Sequence, residues 1–336
     1  MQRITRRLSL ATAALAALTA VAGAPVRAQD TKTLVVAEPV HSLGYLPLYV
    51  AIRKGFFKAG GLEVKAVTLQ GGAAHTNAVL SKQAFAFIGG PEHNAFAKLK
   101  GAELRAVVNV VNRGNVYFVA KKGLAPKPGQ SLADFVKGKS ISVSFYGGTP
   151  NSIARYMLGQ WKLKPGPDVK LNEIANGAEM AAVQADATNL AVTTEPMLTR
   201  GIVEGIWGEP FFNVPKELGP YAYSTLNIRQ ESIKTEPKVV AAFVKGVIEG
   251  LKFTYAHRDE AVAVAKQEFP TMSSKDLKAT MDRAFADDLW SKDGLVAPEA
   301  WDTAKKVVRS AGLLKQDVPY ADVIDMQFVK ALAASN

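Results

Sequence analysis

Cysteine is absent from the 336 residues, and this absence excludes several kinds of chemistry. Without a thiol the chain forms no disulfide, no thiolate metal site and no cysteine nucleophile, and it carries no lipid on an N-terminal cysteine. Apolar runs long enough to span a bilayer are missing after residue 24. No G-x-G-x-x-G, Walker or G-x-S-x-G motif is present, so the sequence gives no support for nucleotide binding or serine hydrolysis.

Clustered charge of one sign is also lacking. The chain has 41 Lys and Arg against 30 Asp and Glu, a formal charge of +11 that falls to +7 without the four arginines that precede residue 29. No block of five like charges occurs, whereas a nucleic-acid binder shows a basic stripe with stacking aromatics. We therefore predict no nucleic-acid partner. A mild positive field that attracts anionic solutes and plain solvation of the surface both remain open.

The first 28 residues have the pattern of a secretory signal peptide. Arg3, Arg6 and Arg7 precede an apolar run over residues 8–24, and Val26-Arg27-Ala28 supplies small residues for cleavage after Ala28. The stretch 5–10 also resembles a twin-arginine export signal, although Ser9 stands where an aromatic residue is usual. Either route predicts an exported mature protein.

Alternation of strand and helix patterns predicts an α/β fold with two lobes. Short β-branched runs and helical faces alternate over residues 34–94 as a β-α-β-α-β unit, and residues 131–204 repeat this logic after a Pro/Gly-rich break at 125–129. A strand near 221–228 returns the chain to the first lobe, and everything after it is helical and expected to pack there. The predicted domains are a signal peptide (1–28), lobe 1 (29–122, including a strand at 116–120), lobe 2 (123–220) and the return with the C-terminal helices (221–336).

Polar residues follow the predicted strands. His41, His75 and His93 come after the first, second and third strands, and open α/β sheets bind ligands beyond the carboxyl ends of their strands. The three imidazoles are expected at one mouth, where they can hydrogen-bond an oxyanion or a ring nitrogen, or chelate a metal together with Glu92. No H-E-x-x-H spacing supports the metal, and we predict none.

Two glycine pairs begin predicted helices, Gly71-Gly72 before His75 and Gly147-Gly148 before Thr149. Free backbone N–H groups at helix starts favour anionic or carbonyl groups, although a single pair can also serve only as a tight turn. One such pair in each lobe favours a ligand held between the lobes.

Four further side chains have both a functional and a structural interpretation. Arg113 can clamp an anionic group or stand in an exposed loop without a role. Glu195 can accept a hydrogen bond from a ligand or cap its own helix. Tyr45 and Tyr146 can flank a ring or simply pack.

The stretch Gly44–Ala51, followed by Lys54–Phe57 and Gly61–Val64, resembles the first lobe of the periplasmic substrate-binding proteins of the nitrate/sulfonate/taurine type. Their superfamily also contains the pyrimidine synthase of thiamine biosynthesis. Gly89-Gly90 after a strand, and Thr194-Glu195-Pro196 in the second lobe, match as well. The resemblance covers most of the mature chain.

This resemblance implies a type II periplasmic-binding-protein clamshell with two crossings between the lobes and a helical C-terminal tail. Such a protein closes on a small-molecule ligand in the periplasm and delivers it to an ABC permease in the inner membrane. We expect a monomer without a cofactor or catalytic residues. With the loops that match the family's binding loops added, the candidate ligand-binding residues are His41, Leu43, Gly44, Tyr45, Gly72, Ala73, Ala74, His75, Glu92, His93, Arg113, Tyr146, Gly147, Gly148, Thr149, Thr194 and Glu195.

The sequence thus predicts a solute receptor and not an enzyme. The ligand classes that remain are a sulfonate, an aromatic acid and a pyrimidine-like heterocycle. His75 and His93 are unexpected in a generic sulfonate binder, which favours the other two classes. The alternative is an exported enzyme of the pyrimidine-synthase branch that acts on a small heterocycle, although the cysteine-rich motif of that enzyme is missing here.

Overall fold

A computed structural model describes residues 31–70 and 73–335, so the predicted signal peptide, Gly71 and Gly72 lie outside the described residues. The strands are β1 (Lys32–Glu38), β2 (Leu62–Thr68), β3 (Ala86–Gly89), β4 (Leu104–Arg113), β5 (Tyr117–Ala120), β6 (Ser140–Ser144), β7 (Lys170–Ile174), β8 (Leu190–Thr193), β9 (Phe212–Asn213) and β10 (Pro220–Arg229). The helices are α1 (Leu46–Arg53), α2 (Ala74–Leu80), α3 (Glu92–Lys98), α4 (Leu132–Val136), α5 (Thr149–Gln160), α6 (Glu179–Gln184), α7 (Met197–Val203), α8 (Val214–Leu218), α9 (Gln230–Thr235), α10 (Pro237–Ala256), α11 (Arg258–Glu268), α12 (Ser274–Ala286), α13 (Pro298–Ser310) and α14 (Gln327–Ala334).

Two five-stranded sheets form the two lobes. The first has the order β2-β1-β3-β10-β4, and the second has the order β7-β6-β8-β5-β9. In each sheet the first three strands are parallel, and the remaining strands run antiparallel to their neighbours. The α/β architecture with two lobes is therefore confirmed, and both lobes repeat one plan.

The chain passes between the sheets twice, from β4 to β5 and from β9 to β10. One predicted strand belongs to the other lobe. The strand at 116–120 was placed in lobe 1, but β5 pairs with β8 through Tyr117↔Thr193 and with β9. The Pro/Gly break at 125–129, which suggested a boundary, is a loop within the second lobe, between β5 and α4. The actual crossing lies between β4 and β5; it is short and has no such Pro/Gly signal.

Helix α1 begins at the carboxyl end of β1 and packs against α10. Pro47 lies in its first turn, where a missing N–H costs nothing. Glycines on α10 permit the close approach, since a Cβ at Gly250 would lie 2.3 Å from the Pro47 carbonyl oxygen and one at Gly246 would lie 2.4 Å from the Phe57 ring. This contact fixes the start of the tail on the first lobe.

The helical tail contacts both lobes, which corrects the expectation that it packs on the first alone. Helix α12 contacts α7, and α13 contacts both α5 and β10. Periodicity revealed the amphipathic helices but not which lobe their apolar faces meet. Among the described residues no helix combines the length and the apolar character that crossing a membrane requires.

Candidate functional site

A cleft of about 100 Å³ lies between the sheets, beyond the carboxyl ends of the six parallel strands. That is room for several water molecules, which suits a small solute. The residues that line it from the first lobe and the crossing are Pro39, Val40, His41, Ser42, Tyr45, Gln70, His75, Gly89, His93, Asn115, Tyr223 and Ser224. The residues that line it from the second lobe are Ser144, Phe145, Gly148, Thr149, Pro150, Ala175, Asn176, Gly177, Glu179, Val192, Thr194, Glu195, Pro196 and Met197.

Two histidines share the first wall. His75 and His93 are the second residues of α2 and α3, and their rings meet edge to face with centroids 4.8 Å apart. Burial lowers the pKa of His93 to about 4, and burial together with His93 lowers the pKa of His75 well below its ordinary value. Both rings are therefore neutral near pH 7. Neither ring nitrogen of His75 has a hydrogen-bond partner among the described residues, although the side chain is buried.

Glu92 connects the two walls. Its Oε1 accepts a hydrogen bond of 2.6 Å from the hydroxyl of Thr149, the first residue of α5 in the second lobe. Its Oε2 is buried and has no partner among the described residues. Burial raises the pKa of Glu92 to about 7, against the lowering effect of Thr149. This carboxyl is thus held between the lobes with half of its hydrogen-bonding capacity unused.

His41 is separated from the other histidines by its partners. Its Nδ1 lies 3.0 Å from Glu38 Oε1, its Nε2 lies 3.5 Å from Glu268, and its ring stacks on Tyr49. Glu38 also accepts hydrogen bonds from Tyr49 and Thr68. His41 lines the cleft, but both of its ring nitrogens face carboxyl groups of the protein. The three histidines therefore do not form one shared binding group.

Glu195 lines the cleft, but its carboxyl is engaged by residues of α7 and α12. The carboxyl accepts hydrogen bonds from the Thr199 amide (3.1 Å) and hydroxyl (2.8 Å), and Arg283 Nε lies 3.2 Å from Oε1. The Glu195 carbonyl accepts a hydrogen bond of 3.1 Å from the Ser42 hydroxyl across the cleft. The capping alternative that the sequence offered therefore describes this side chain.

The structure brings together about half of the candidate residues. Those that line the cleft are His41, Tyr45, His75, His93, Gly148, Thr149, Thr194 and Glu195. Glu92 reaches it through Thr149. Leu43, Gly44, Ala73, Ala74 and Gly147 are not among the lining residues, and Gly72 lies outside the described residues.

Two of the predicted side chains are engaged elsewhere. Arg113 pairs with Asp288 at 3.0 Å and donates to the Asn112 carbonyl. Tyr146 is 48% exposed, with the Arg155 guanidinium 4.9 Å from its ring centroid. Neither lines the cleft. Their distant partners could not be read from the local sequence.

Sequence reasoning missed several polar residues of the cleft. Glu179 follows β7, so the strand-end rule applied to that strand would have found it; burial raises its pKa to about 7, and its Oε2 accepts from the Gly177 amide at 2.9 Å. Asn115 presents a buried oxygen without a partner among the described residues. Ser144 presents another, but it was not missed, because it begins one of the loops, 144–149, that match the family's binding loops. Ser224 lies on the antiparallel strand β10, where no strand-end signal exists.

The described residues contain no group of three or more His, Asp or Glu side chains arranged to hold a metal ion. Glu92 does not join His41, His75 and His93 in such a group. What the cleft offers is hydrogen-bonding groups that are already buried. Such groups are costly to leave unpaired, which is typical of a binding site for a polar solute.

Comparison with known proteins gives a family and a fold. Residues 43–261 match the family described as NMT1/THI5 like. The putative binding protein YtlA of Bacillus subtilis is 26% identical over 317 residues, 93% of this chain and 93% of that protein. The riboflavin-binding protein RibY of Chloroflexus aurantiacus is 26% identical over 315 residues, 86% of this chain and 84% of that protein.

Solved structures share the fold at low sequence identity. The alkanesulfonate-binding protein SsuA of Xanthomonas axonopodis, bound to MOPS, superposes with a TM-score of 0.71 at 13% identity, covering 88% of this chain and 98% of its own. The desulfurization enzyme DSZB superposes with a TM-score of 0.66 at 15% identity, covering 91% of this chain and 100% of its own. Because this fold is found in both binding proteins and an enzyme, the fold alone does not decide the function.

Proposed function

The chain belongs to the NMT1/THI5-like family, and from that premise we propose that it is the solute-binding receptor of an ABC importer. It captures a small organic solute between its two lobes and delivers it to the permease in the inner membrane. The matched relatives named as binding proteins support a receptor over an enzyme.

One observation carries the proposal: both walls of the cleft hold buried polar groups that have no partner within residues 31–70 and 73–335. His75 presents two ring nitrogens from the first lobe, and Ser144 presents a hydroxyl from the second. A buried polar group without a partner costs about 1–3 kcal/mol. A solute that hydrogen-bonds both walls removes this cost and draws the lobes together, so binding is coupled to closure.

Two hydrogen bonds join the walls of the cleft. Thr149 donates to Glu92, and Ser42 donates to the Glu195 carbonyl. We assign His75, His93, Asn115, Ser144 and the start of α5 to solute recognition. The lobes open about the two strand crossings.

Export to the periplasm, with the signal peptide removed near Ala28, belongs to the same proposal. A solute receptor meets its permease only outside the inner membrane. The pattern of residues 1–28 supports this location. We further propose that the receptor acts as a monomer, since two lobes of one chain supply both walls of the cleft.

Isothermal titration of the purified protein tests the proposal. The panel contains uracil, orotate, riboflavin, benzoate, ethanesulfonate and nitrate, and mass spectrometry then identifies the recovered solute. We expect one-to-one binding of at least one member, recovered unchanged. His75→Ala should weaken that binding at least about tenfold because it removes both ring nitrogens.

His257→Ala is the matched control, because His257 lies at the end of α10 with its side chain exposed and away from the cleft. Its affinity should equal that of the wild type. Recovery of a chemically altered solute would contradict the receptor and support the enzyme of the pyrimidine-synthase branch. Equal losses in the two variants would contradict the placement of the site.

A further inference from the structure

We propose that the solute is an uncharged heterocycle that hydrogen-bonds both walls, and not a sulfonate, carboxylate or other anion. This inference rests on the proposed receptor function and names its ligand class. It starts from a property of the cleft's composition: among the described residues that line it, none is Lys or Arg. The net positive charge of the chain therefore lies outside the site.

Arg283, which contacts the cleft residue Glu195, and Arg113, which the sequence offered as an anion clamp, are both engaged by the protein's own acids. Arg283 lies behind Glu195, 3.2 Å from its Oε1, and Arg113 pairs with Asp288. Neither side chain lines the cleft. An anion that entered would lose its hydration without gaining a cation, which is costly in a buried site.

An anion bound at the start of α5 would lie next to a carboxyl of the protein itself. Helix α5 is twelve residues long and begins at Thr149, whose hydroxyl donates to the fully buried Glu92. The protein thus places its own carboxyl against this helix start. Glu179, from the second lobe, adds another buried carboxyl to the cleft. An anionic solute would meet acids where it needs donors with positive charge.

The remaining groups match the edge of a heterocyclic ring. A neutral imidazole offers one N–H donor and one lone pair, and burial keeps His75 and His93 neutral. Ser144 can donate or accept, and Asn115 presents an amide oxygen that has no partner in the described part of the chain. Donors and acceptors of this kind suit the edge of a heterocyclic ring, where ring N–H groups donate hydrogen bonds and carbonyl oxygens and bare ring nitrogens accept them.

Apolar groups supply the walls that a ring needs on its faces. Val40 and Phe145 line opposite sides of the cleft, together with Val192 and Met197 from the second lobe. Flat apolar faces with polar edges are the common chemistry of heteroaromatic solutes. An aliphatic sulfonate has neither the flat apolar faces nor the polar ring edge that these groups would contact.

Matched pairs of solutes test the inference. Uracil and orotate differ by one carboxylate, and riboflavin and its 5′-phosphate differ by one phosphate. Titrations of the full chain at pH 7.5 should show that the uncharged member of at least one pair binds at least about tenfold more tightly than its anionic partner. Ethanesulfonate and nitrate serve as simple anions and should not bind.

The outcomes separate this inference from the receptor function. If the anionic member binds equally or more tightly in every pair that binds at all, or if only ethanesulfonate or nitrate binds, the inference is overturned and the receptor function stays intact. Binding of none of the six solutes counts against both.

A cation placed in the cleft gives a second readout. Asn176 lines the second wall, so Asn176→Lys should raise the affinity for orotate relative to uracil by at least about fivefold over the matched variant Asn176→Gln. The ratio of the two affinities is the measured quantity, so a general loss of binding does not affect it. An unchanged ratio would mean that charge does not set the preference, which overturns the inference.

Discussion

Two buried glutamates occupy similar places in the two lobes but have different surroundings. Glu92 follows Pro91 after β3, and Glu195 precedes Pro196 after β8; both are at most 1% exposed. Glu195 has Thr199 as a hydrogen-bond donor and Arg283 as an ion-pair partner. Glu92 has one side-chain donor, from the opposite lobe, and an Oε2 atom with no partner among the described residues.

The difference indicates what each carboxyl does. Glu195 is satisfied by groups of its own lobe and of the tail, so it holds α7 to α12 whatever the cleft contains. Glu92 depends on closure for its one side-chain donor and retains an oxygen for a solute or a water. Although both carboxyls are equally buried, Glu195 has a structural role and Glu92 has a role linked to the ligand.

The largest effect is expected where Glu195 loses its cation. Arg283→Ala would leave a buried carboxylate with hydroxyl and amide partners only, and breaking such a pair costs about 3–5 kcal/mol in the free energy of unfolding. Urea unfolding at pH 7 measures this. Arg309→Ala, which breaks an exposed pair with Asp317, should cost at most about 1 kcal/mol. Similar losses in both variants would contradict the structural role of Glu195.

A smaller effect, with a pH dependence, is expected at Glu92. Because burial raises its pKa from 4.5 to about 7, the folded state favours the protonated form, and stability falls as pH rises from 4.5 through about 7. Glu92→Gln imitates that form, so at pH 8 it should be more stable than the wild type by up to about 3 kcal/mol, and at pH 4 nearly equal to it.

Urea unfolding of both proteins at pH 4, 6 and 8 measures this difference. Glu249→Gln, at an exposed pair with Lys252, should show a constant difference from the wild type across the range. A stability difference between Glu92→Gln and the wild type that does not grow with pH would contradict the raised pKa.

The smallest effect separates the two carboxyls through their threonines. Thr149→Val removes the donor that joins the lobes, and Thr199→Val removes a donor within the second lobe. Each should cost about 1 kcal/mol of stability, but only Thr149→Val should weaken solute binding, by roughly fivefold. Titration of each variant with the best solute of the panel measures the affinity. Equal losses of affinity would show that the comparison between the carboxyls has no functional meaning.

Much of the fold follows from local pattern. Periodicity and turn residues predicted the element order around Leu34–Asn94, and the strand-end rule placed His75 and His93 at one mouth, because these signals lie within single elements and their ends. The partners of His41, Arg113 and Glu195 did not follow. They are Glu268, Asp288 and Arg283, which lie in or near the tail helices, and only the packing of the tail brings them close.

The crossing between the lobes was also beyond local pattern. β5 has the apolar character of either sheet, and only its pairing with β8 assigns it to the second. Ser224 entered the site for the same reason, since an antiparallel strand contributes its middle and not its end. Long-range pairing thus decides both the lobe assignment and part of the binding surface.

We predict that the two lobes close on a solute, and the absence of cysteine from the sequence allows a direct test. Lys65→Cys on β2 and Lys170→Cys on β7 place spin labels at exposed positions on the outer strands of the two sheets. The distance between the labels, measured by pulsed electron paramagnetic resonance, should shorten and narrow in distribution when a solute that binds is added to saturation. An unchanged distribution at saturation would contradict the claim.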